Sequence, residues 1–398
     1  MKQFLFFTFQ ALYTVIADII DDGFANRMSL DAVIAYGSFL PIIWTVQSFY
    51  NIGKYAYTNT MKHPKTCMLL GFFMNILLVL ILLPTYKFIH NIFDLSTNQI
   101  YIFNNLVFVY IITSPLRQLG DYLYLVLMYN MKNKQVFIAD ILFWVTNISL
   151  DLVVFLNHKP VWYLMITTAI GYFLYDSYLL IHSNIFKDKF ELSFIPEAFK
   201  KGFDIVIDRV TGKIATLVYG SLASRLPEHQ YAIHCVVYGV ICNCEEFTNN
   251  YNIYCRARLK TLSRNIKNGA FILLKNYGPI LLSMTYIMSM LFLVLYHGKV
   301  SYIDCLPWLL LYMTDIISLI FYENFKAILS CYSKTEYLRF GGLFGILTRI
   351  PYTYIMYKLN FGLFGFATAC TIDFAVRAIY FYIMINKHIK SLKSINIA

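Results

Sequence analysis

Apolar positions in this chain come in long runs separated by short polar loops, without the spacing that would give a half-buried helix or strand. A membrane-spanning helix needs about 20 mainly apolar residues, and twelve stretches of the 398-residue chain meet that need. They centre on 4–26, 32–53, 67–89, 99–126, 136–156, 161–182, 204–224, 231–253, 274–296, 304–328, 337–357 and 362–386. In hydrocarbon each backbone polar group must be satisfied within its own segment, so such runs predict helices. The expected fold class is an all-α polytopic membrane protein of about twelve transmembrane helices.

The charges between the runs order them. With the N-terminus in the cytoplasm, twenty Lys and Arg fall in cytoplasmic segments, among them Lys62, Lys134, Lys200, Arg256 and Lys387, against six on the other side. The six are Arg27, Lys87, Lys159, Arg225, Lys299 and Lys358. This alternation is the positive-inside pattern, and it places both termini in the cytoplasm of a multi-pass protein in the cell membrane. The N-terminus enters the first run almost at once, with no evident cleavable signal.

Composition agrees. The chain is 59% hydrophobic and 14% charged, and its mean hydropathy is +0.57. Its net charge of +11 is dispersed through the loops and forms no block that would suit nucleic acid. Of the eight cysteines, Cys242 and Cys244 form a C-x-C rather than a zinc-type pair, and most sit in apolar runs as small fillers.

The longest polar stretch, 187–201, falls near the middle and reads as a cytoplasmic linker between an N-lobe of residues 1–190 and a C-lobe of 191–398. Sliding the chain against itself by 198 residues pairs Ile16 with Ile214, Ala17 with Ala215, Ala25 with Ala223, Arg27 with Arg225, Phe49 with Phe247, Asn51 with Asn249 and Lys62 with Lys260. Two six-span repeats that both start in the cytoplasm are parallel repeats, which predicts two pseudo-symmetric lobes around a central cavity.

The chemistry concentrates in acidic residues inside the spans. Asp18, Asp21 and Asp22 lie along one face of the first span. A charge at the centre of a bilayer costs roughly 2.5–3.5 kcal/mol on insertion scales, so such groups face protein or water. Asn147 and Asp151 share a face of the fifth span at i, i+4. At about 1.5 Å per residue, Asp21 and Asp151 lie roughly 26 and 24 Å into outward-running spans, and Thr168 roughly 10 Å into an inward-running one. All three thus reach a similar level in the outer half of the membrane, the condition for a shared site. Two carboxylates, an amide and a hydroxyl offer oxygen ligands to Na⁺, or a place for a proton.

The segment Asp21-Asp22-Gly23-Phe24-Ala25-Asn26-Arg27-Met28, followed by Asp31-Ala32-Val33-Ile34-Ala35, resembles the first-span signature of the multidrug and toxin extrusion (MATE) family, which is approximately D-x-x-F-x-G-R-L. Asn147 with Asp151, and Thr168 in span six, also look like this family, as do twelve spans in two lobes. The resemblance implies a cation-coupling site at Asp21, Asn147, Asp151 and Thr168, and export of organic cations or toxins in exchange for Na⁺ or H⁺ by alternating access. Two positions depart from it. Asn26 replaces the usual glycine, and Gly212 stands about where some members carry a seventh-span carboxylate.

Other intramembrane charges are candidates for lining a substrate path: Asp18, Asp208, Glu245, Glu246 and Asp315, the last resembling an aspartate used by some family members. Asp140, Asp176, Asp373, Arg349 and Arg377 are expected to form cross-helix pairs. Glu245 and Glu246 do not make the protease pattern E-E-x-x-x-R, because position 250 is Asn250. The expected function is secondary antiport of a small organic compound, cationic in character, or a peptide, by a monomer without cofactor beyond its coupling ion. A flippase of lipid-linked oligosaccharide or cell-wall precursor would share the architecture and rely instead on Arg209, Lys213, Arg349 and Arg377. A non-transporting scaffold or enzyme has no catalytic motif behind it.

Overall fold

The computed structural model describes residues 2–130, 132–260, 266–332, 334 and 336–395. Every long element among them is an α-helix. The first six runs become α1 (Lys2–Met28), α2 and α3 (Leu30–Tyr50, Ile52–Thr60), α4 (Pro64–Leu82), α6 (Thr97–Tyr129), α7 (Asn133–Leu156) and α8 (Tyr163–Ser183), with a single-turn α5 (Tyr86–Ile89) in a loop. The other six become α9 (Ile195–Ala223), α10 (Glu228–Lys260), α11 (Ile266–Tyr296), α12 and α13 (Tyr302–Tyr312, Thr314–Cys331), α14 (Glu336–Lys358) and α15 (Leu363–Ile395). Each of the twelve expected spans is therefore a helical rod, and two of them are broken, at Asn51 and at Met313.

Local chemistry sets several ends. Ser29 caps α2 by accepting from the Ala32 N–H at 3.0 Å. Ser96 and Gln99 form a reciprocal capping box at the start of α6. At the end of α8, Asn184 takes the left-handed conformation (φ 58°), which asparagine tolerates better than most residues.

Among the described residues, eight helical rods, α12 with α13 counted as one, are long and apolar enough to cross a membrane by length and composition. The remaining long rods, α1, α9, α10 and α14, have the length but carry charges within it. The apolar helices turn large side chains outward: Leu80 is 64% exposed, Ile81 62% and Ile181 76%. In water such faces would be a liability, whereas lipid tails solvate them.

Packing divides the chain into two units, Ile20–Cys235 and Met1–Ile19 with Val236–Ala398. Both boundaries fall inside continuous helices, α1 and α10, and not at the loop near residue 190. In the first unit, α9 runs along α2 and α3 over its whole length. Gly202 lies against the Ile52 carbonyl, the Asn59 amide donates to the Lys201 carbonyl (3.0 Å), and the Lys213 ammonium sits 4.9 Å from the centre of the Trp44 ring. At the far end, the Ser221 hydroxyl donates to the Ile92 carbonyl at 2.6 Å, and the Asp94 N–H donates to Ser224 at 2.9 Å. The core of this unit is apolar and runs from Ala35, Phe39 and Ile43 on α2 to Phe103, Leu106 and Tyr110 on α6.

The offset of 198 residues reappears in these contacts. Gly202 packs on Ala56 inside one unit, and their equivalents, Phe4 and Tyr254, stack edge to face (5.7 Å between ring centres) inside the other. Within the first unit, Gly37 on α2 lies directly against Cys235 on α10, its own equivalent at that offset. The absence of a side chain at Gly37 permits the approach, and beside it Ser38 and Tyr231 share a hydrogen bond of 2.7 Å.

Candidate functional site

The unit Ile20–Cys235 brings Asp21, Asn147, Asp151 and Thr168 into one buried cluster on α1, α7 and α8. Asp21 is 3% exposed, Asn147 and Asp151 0%, and Thr168 6%. Close packing of α7 on α8 builds the floor. Gly171 on α8 has Phe143 and Asn147 of α7 where a side chain would otherwise sit, so the two backbones approach at the level of the amide.

Asn147 is the hub. Its amide nitrogen donates to Asp21 Oδ1 and, at 3.0 Å, to Asp151 Oδ2. The i, i+4 spacing on α7 makes the second bond local, while the first spans 126 positions of sequence. Thr168 donates to Asp21 Oδ2 at 3.0 Å, and Thr167 donates to Asp151 Oδ1. Both threonine hydroxyls also lie 2.7 Å from the Leu164 carbonyl, so each has one hydrogen and two acceptors in reach. The Asp21 and Asp151 carboxyls are thus held close together by one amide nitrogen.

This donor set favours a cation. Two carboxyl groups at such range repel when both are ionised, and a shared proton or a bound cation removes the repulsion. The Asn147 carbonyl oxygen is buried without a hydrogen-bond partner. A buried acceptor left unsatisfied costs roughly 1–3 kcal/mol, and a hard cation among the carboxylate, amide and hydroxyl oxygens would recover it. Among the described residues, no group of three or more His, Cys, Asp and Glu is placed to hold a metal ion. A site here would therefore use the amide and hydroxyls beside the two carboxylates.

Thr167 is the member that sequence reasoning missed. The Thr167-Thr168 dipeptide was visible, but consecutive residues on a helix point about 100° apart, and only the position of Asp151 between α7 and α8 gives both hydroxyls a carboxylate.

The remaining candidates lie elsewhere. The side chains of Asp18 and Asp208 fall outside the described residues. Glu246 is exposed and accepts from Asn249 of its own helix at 3.1 Å, so it does not act as a pair with its half-buried neighbour Glu245. Glu245 belongs with Asp315 and Arg349, whose charges it feels, in the unit that includes Val236–Ala398. Asp315 is wholly buried, and neither of its carboxyl oxygens has a hydrogen-bond partner. It stands in the first turn of α13, just after the break at Met313, where the Tyr286 hydroxyl donates to the freed Met313 carbonyl at 3.1 Å. Helix breaks of this kind in membrane proteins are tolerated where they line a cavity or site.

Asp373 forms two ion pairs, one across helices as expected and one along its own helix. It binds Arg377 through both oxygens (2.6 and 3.0 Å) and Arg349 of α14 at 2.9 Å. Asp176 forms none: it is 4% exposed and both its oxygens lack a partner, so the expectation of an ion pair there is corrected. Arg117 of α6 lies 5.6 Å over the Tyr172 ring of α8.

No family model matches the chain, and no curated protein matches it in sequence. Solved structures do. An inward-facing MATE family transporter of the MOP superfamily is similar at TM-score 0.77 and 12% identity, over 96% of this chain and 96% of that one. A MOP superfamily transporter from Pyrococcus furiosus is similar at TM-score 0.78 and 12% identity, over 97% and 94%. A MATE family transporter in its outward-facing conformation is similar at TM-score 0.73 and 12% identity, over 98% and 94%. The chain thus has the fold of the twelve-helix MATE transporters of the MOP superfamily, with several helices long and apolar enough to cross a membrane.

Proposed function

We propose that this protein is a MATE-like secondary antiporter that exports a small organic compound, cationic in character, or a peptide, in exchange for Na⁺ or H⁺. In this reading both termini are cytoplasmic, the two six-span lobes alternate access to a central cavity, and the cluster of Asp21, Asn147, Asp151, Thr167 and Thr168 couples the cation. The observation that carries it is the convergence of two carboxyls from α1 and α7 on one buried amide.

The mechanism follows from charge. An incoming cation neutralises the repulsion between Asp21 and Asp151 and draws α1 toward α7 and α8. Its departure restores the repulsion and frees α1. Only a ligand whose affinity differs between two states shifts their populations, and a cation that bridges carboxylates on separate helices has that property. One net inward charge per cycle at 100 mV supplies about 2.3 kcal/mol, roughly a forty- to fiftyfold gradient at about 1.4 kcal/mol per decade, whereas a monovalent cation exchanged one-for-one gains nothing from the potential and relies on the ion gradient.

A flippase of anionic lipid-linked substrates is the second reading. In the Pyrococcus furiosus transporter, reverse polarity of the binding pocket suggests a different function for that protein. Here two of the arginines such a flippase would use, Arg349 and Arg377, are engaged by Asp373, and Lys213 stacks on Trp44, which favours the cation reading.

The test is efflux of a panel of fluorescent organic cations from proteoliposomes under imposed Na⁺ or pH gradients. Gradient-driven efflux, lost in Asp21→Asn and Asp151→Asn at normal membrane insertion, supports the proposal. Absence of efflux from folded protein, or normal efflux in both variants, overturns it.

A further inference from the structure

A second acidic cluster lies below the first in the same unit, at the end of α8 nearer Ser183. Its centre is Asp176, 4% exposed and with both carboxyl oxygens unpartnered. The titratable and charged groups around it are Arg117, Asp121 and Tyr124 on α6, Asp140 on α7, and Tyr172 and Tyr175 on its own helix. The charge of Asp121 is felt at Asp176, and that of Asp140 at Tyr175. Gly120 makes room for the carboxyl, since a side chain there would sit 2.6 Å from Asp176 Oδ1.

The cluster is connected to the upper one. On α8, Thr168, Tyr172 and Asp176 stand at i, i+4 and i+8, and on α7, Asp140, Asn147 and Asp151 share a face at intervals of seven and four. On α6, Thr113, Arg117 and Asp121 repeat at four. Thr113 and Arg117 of α6 share a cavity with Thr168 and Tyr172 of α8, and Asn147 of α7 and Thr168 both donate to Asp21. Between the clusters lies a small cavity, with room for about one water, lined by Thr113, Ser114, Arg117, Thr168 and Tyr172 among others. The distance from Thr168 to Asp176 is eight residues along α8, about 12 Å.

We propose that Asp176 is a proton-binding waystation through which the coupling cluster exchanges protons with the side of the membrane nearer Ser183, the cytoplasm on the topology expected from the loop charges. This rests on the reading of Asp21 and Asp151 as the coupling site and deepens it. An unpaired ionised carboxyl buried in the membrane costs several kcal/mol, so a side chain kept there without a partner does something that asparagine would not. A carboxyl beside a second carboxyl and a water-sized cavity can take a proton from one side and pass it to the other. The proton leaves Asp21 or Asp151, crosses by way of the Thr168 and Tyr172 hydroxyls or cavity water, and is held at Asp176 until it is released past Asp121. No bond other than O–H forms or breaks.

Two measurements on the full chain test this. The first is infrared difference spectroscopy of the purified protein across a pH step. A protonated-carboxyl band that titrates in the wild type and disappears in Asp176→Asn is expected, and its persistence in that variant overturns the proposal without reference to transport. The second is proton-driven efflux in proteoliposomes. Asp176→Asn is expected to slow it at least about tenfold, the lower range for losing a proton-transfer group, with Asp176→Glu restoring most of the rate. Removing an unpaired charge does not cost folding, so a purely structural Asp176 predicts a stable, fully active Asn variant, and that result overturns the waystation. Gly120→Ala, which displaces the carboxyl, is expected to slow efflux as well. If Asp21→Asn abolishes efflux while Asp176→Asn and Gly120→Ala do not, only the waystation fails. If Asp21→Asn exports normally, the coupling-site reading fails instead.

Discussion

Thr168 donates a hydrogen bond of 3.0 Å to Asp21, although 147 positions separate them in the chain. The bond joins the first helix to α8 and orients one carboxyl of the buried acidic cluster. A hydrogen bond to a charged group is worth about 1.5–3 kcal/mol, and its loss leaves a buried acceptor. Thr168→Val is therefore expected to reduce cation-driven efflux by about tenfold or more, and Thr168→Ser to retain most of it. Initial rates under an imposed gradient in proteoliposomes would show this. Equal rates in Thr168→Val and the wild type would detach the hydroxyl from the mechanism.

Asn147 separates two carboxyls by bonding both. Asn147→Leu removes the bridge and the free carbonyl oxygen together, and Asn147→Asp adds a third carboxyl to the same space. Both are expected to abolish efflux. The Asp variant is also expected to lower thermal stability at high pH more than at low pH, because protonation relieves the crowding. Scanning fluorimetry in detergent across pH reads the difference, and a pH-independent melting temperature in Asn147→Asp would count against direct contact of the three groups.

Asp373 stands between Arg349 and Arg377 with no exposure of its own. Asp373→Leu strands two buried guanidinium groups, and breaking a buried ion pair from one side costs about 3–5 kcal/mol. Expression and melting temperature should fall sharply. A triple change of Asp373, Arg349 and Arg377 to leucine or methionine should recover much of the loss, because an apolar replacement of a whole buried triad is often neutral or better. A single Asp373→Leu variant as stable as the wild type would show that the triad is not buried as described.

Gly53 allows α3 to rest on α4, with the Cys67 carbonyl where a side chain would project. Gly53→Ala pushes backbone against backbone and is expected to cost about 1–3 kcal/mol. Gly220→Ala meets only ordinary contacts at 3.6 Å and removes a flexible residue from α9, so it should be neutral or stabilising by up to about 1 kcal/mol. Melting temperatures of the two variants in one detergent make the comparison, and the reverse order would refute the packing of α3 on α4.

Much of the architecture was legible along the chain. Twelve apolar runs became twelve helical rods, since hydrocarbon leaves a lone segment only the helix in which to satisfy its backbone. The 198-residue repeat, faint as seven identities, reappears in the Gly37–Cys235 contact and in the matched pairs Gly202–Ala56 and Phe4–Tyr254. The breaks at Asn51 and Met313 were not legible, because neither carries proline or glycine at the break. At Met313 the freed carbonyl is received by Tyr286 of another helix.

The sequence by itself determined the helical class of the fold, the number of helical rods, and the i, i+4 pairing on α7. These are consequences of rise per residue and of helical period, which act locally. Only the tertiary structure decided that α1, α7 and α8 are neighbours, that Thr167 joins the cluster, that Asp373 takes both arginines, and that Asp176 has no partner. Which buried charges meet depends on how helices rotate and pack against one another, and that choice is made by fits between helices such as Gly171 on Phe143 and Gly120 on Asp176.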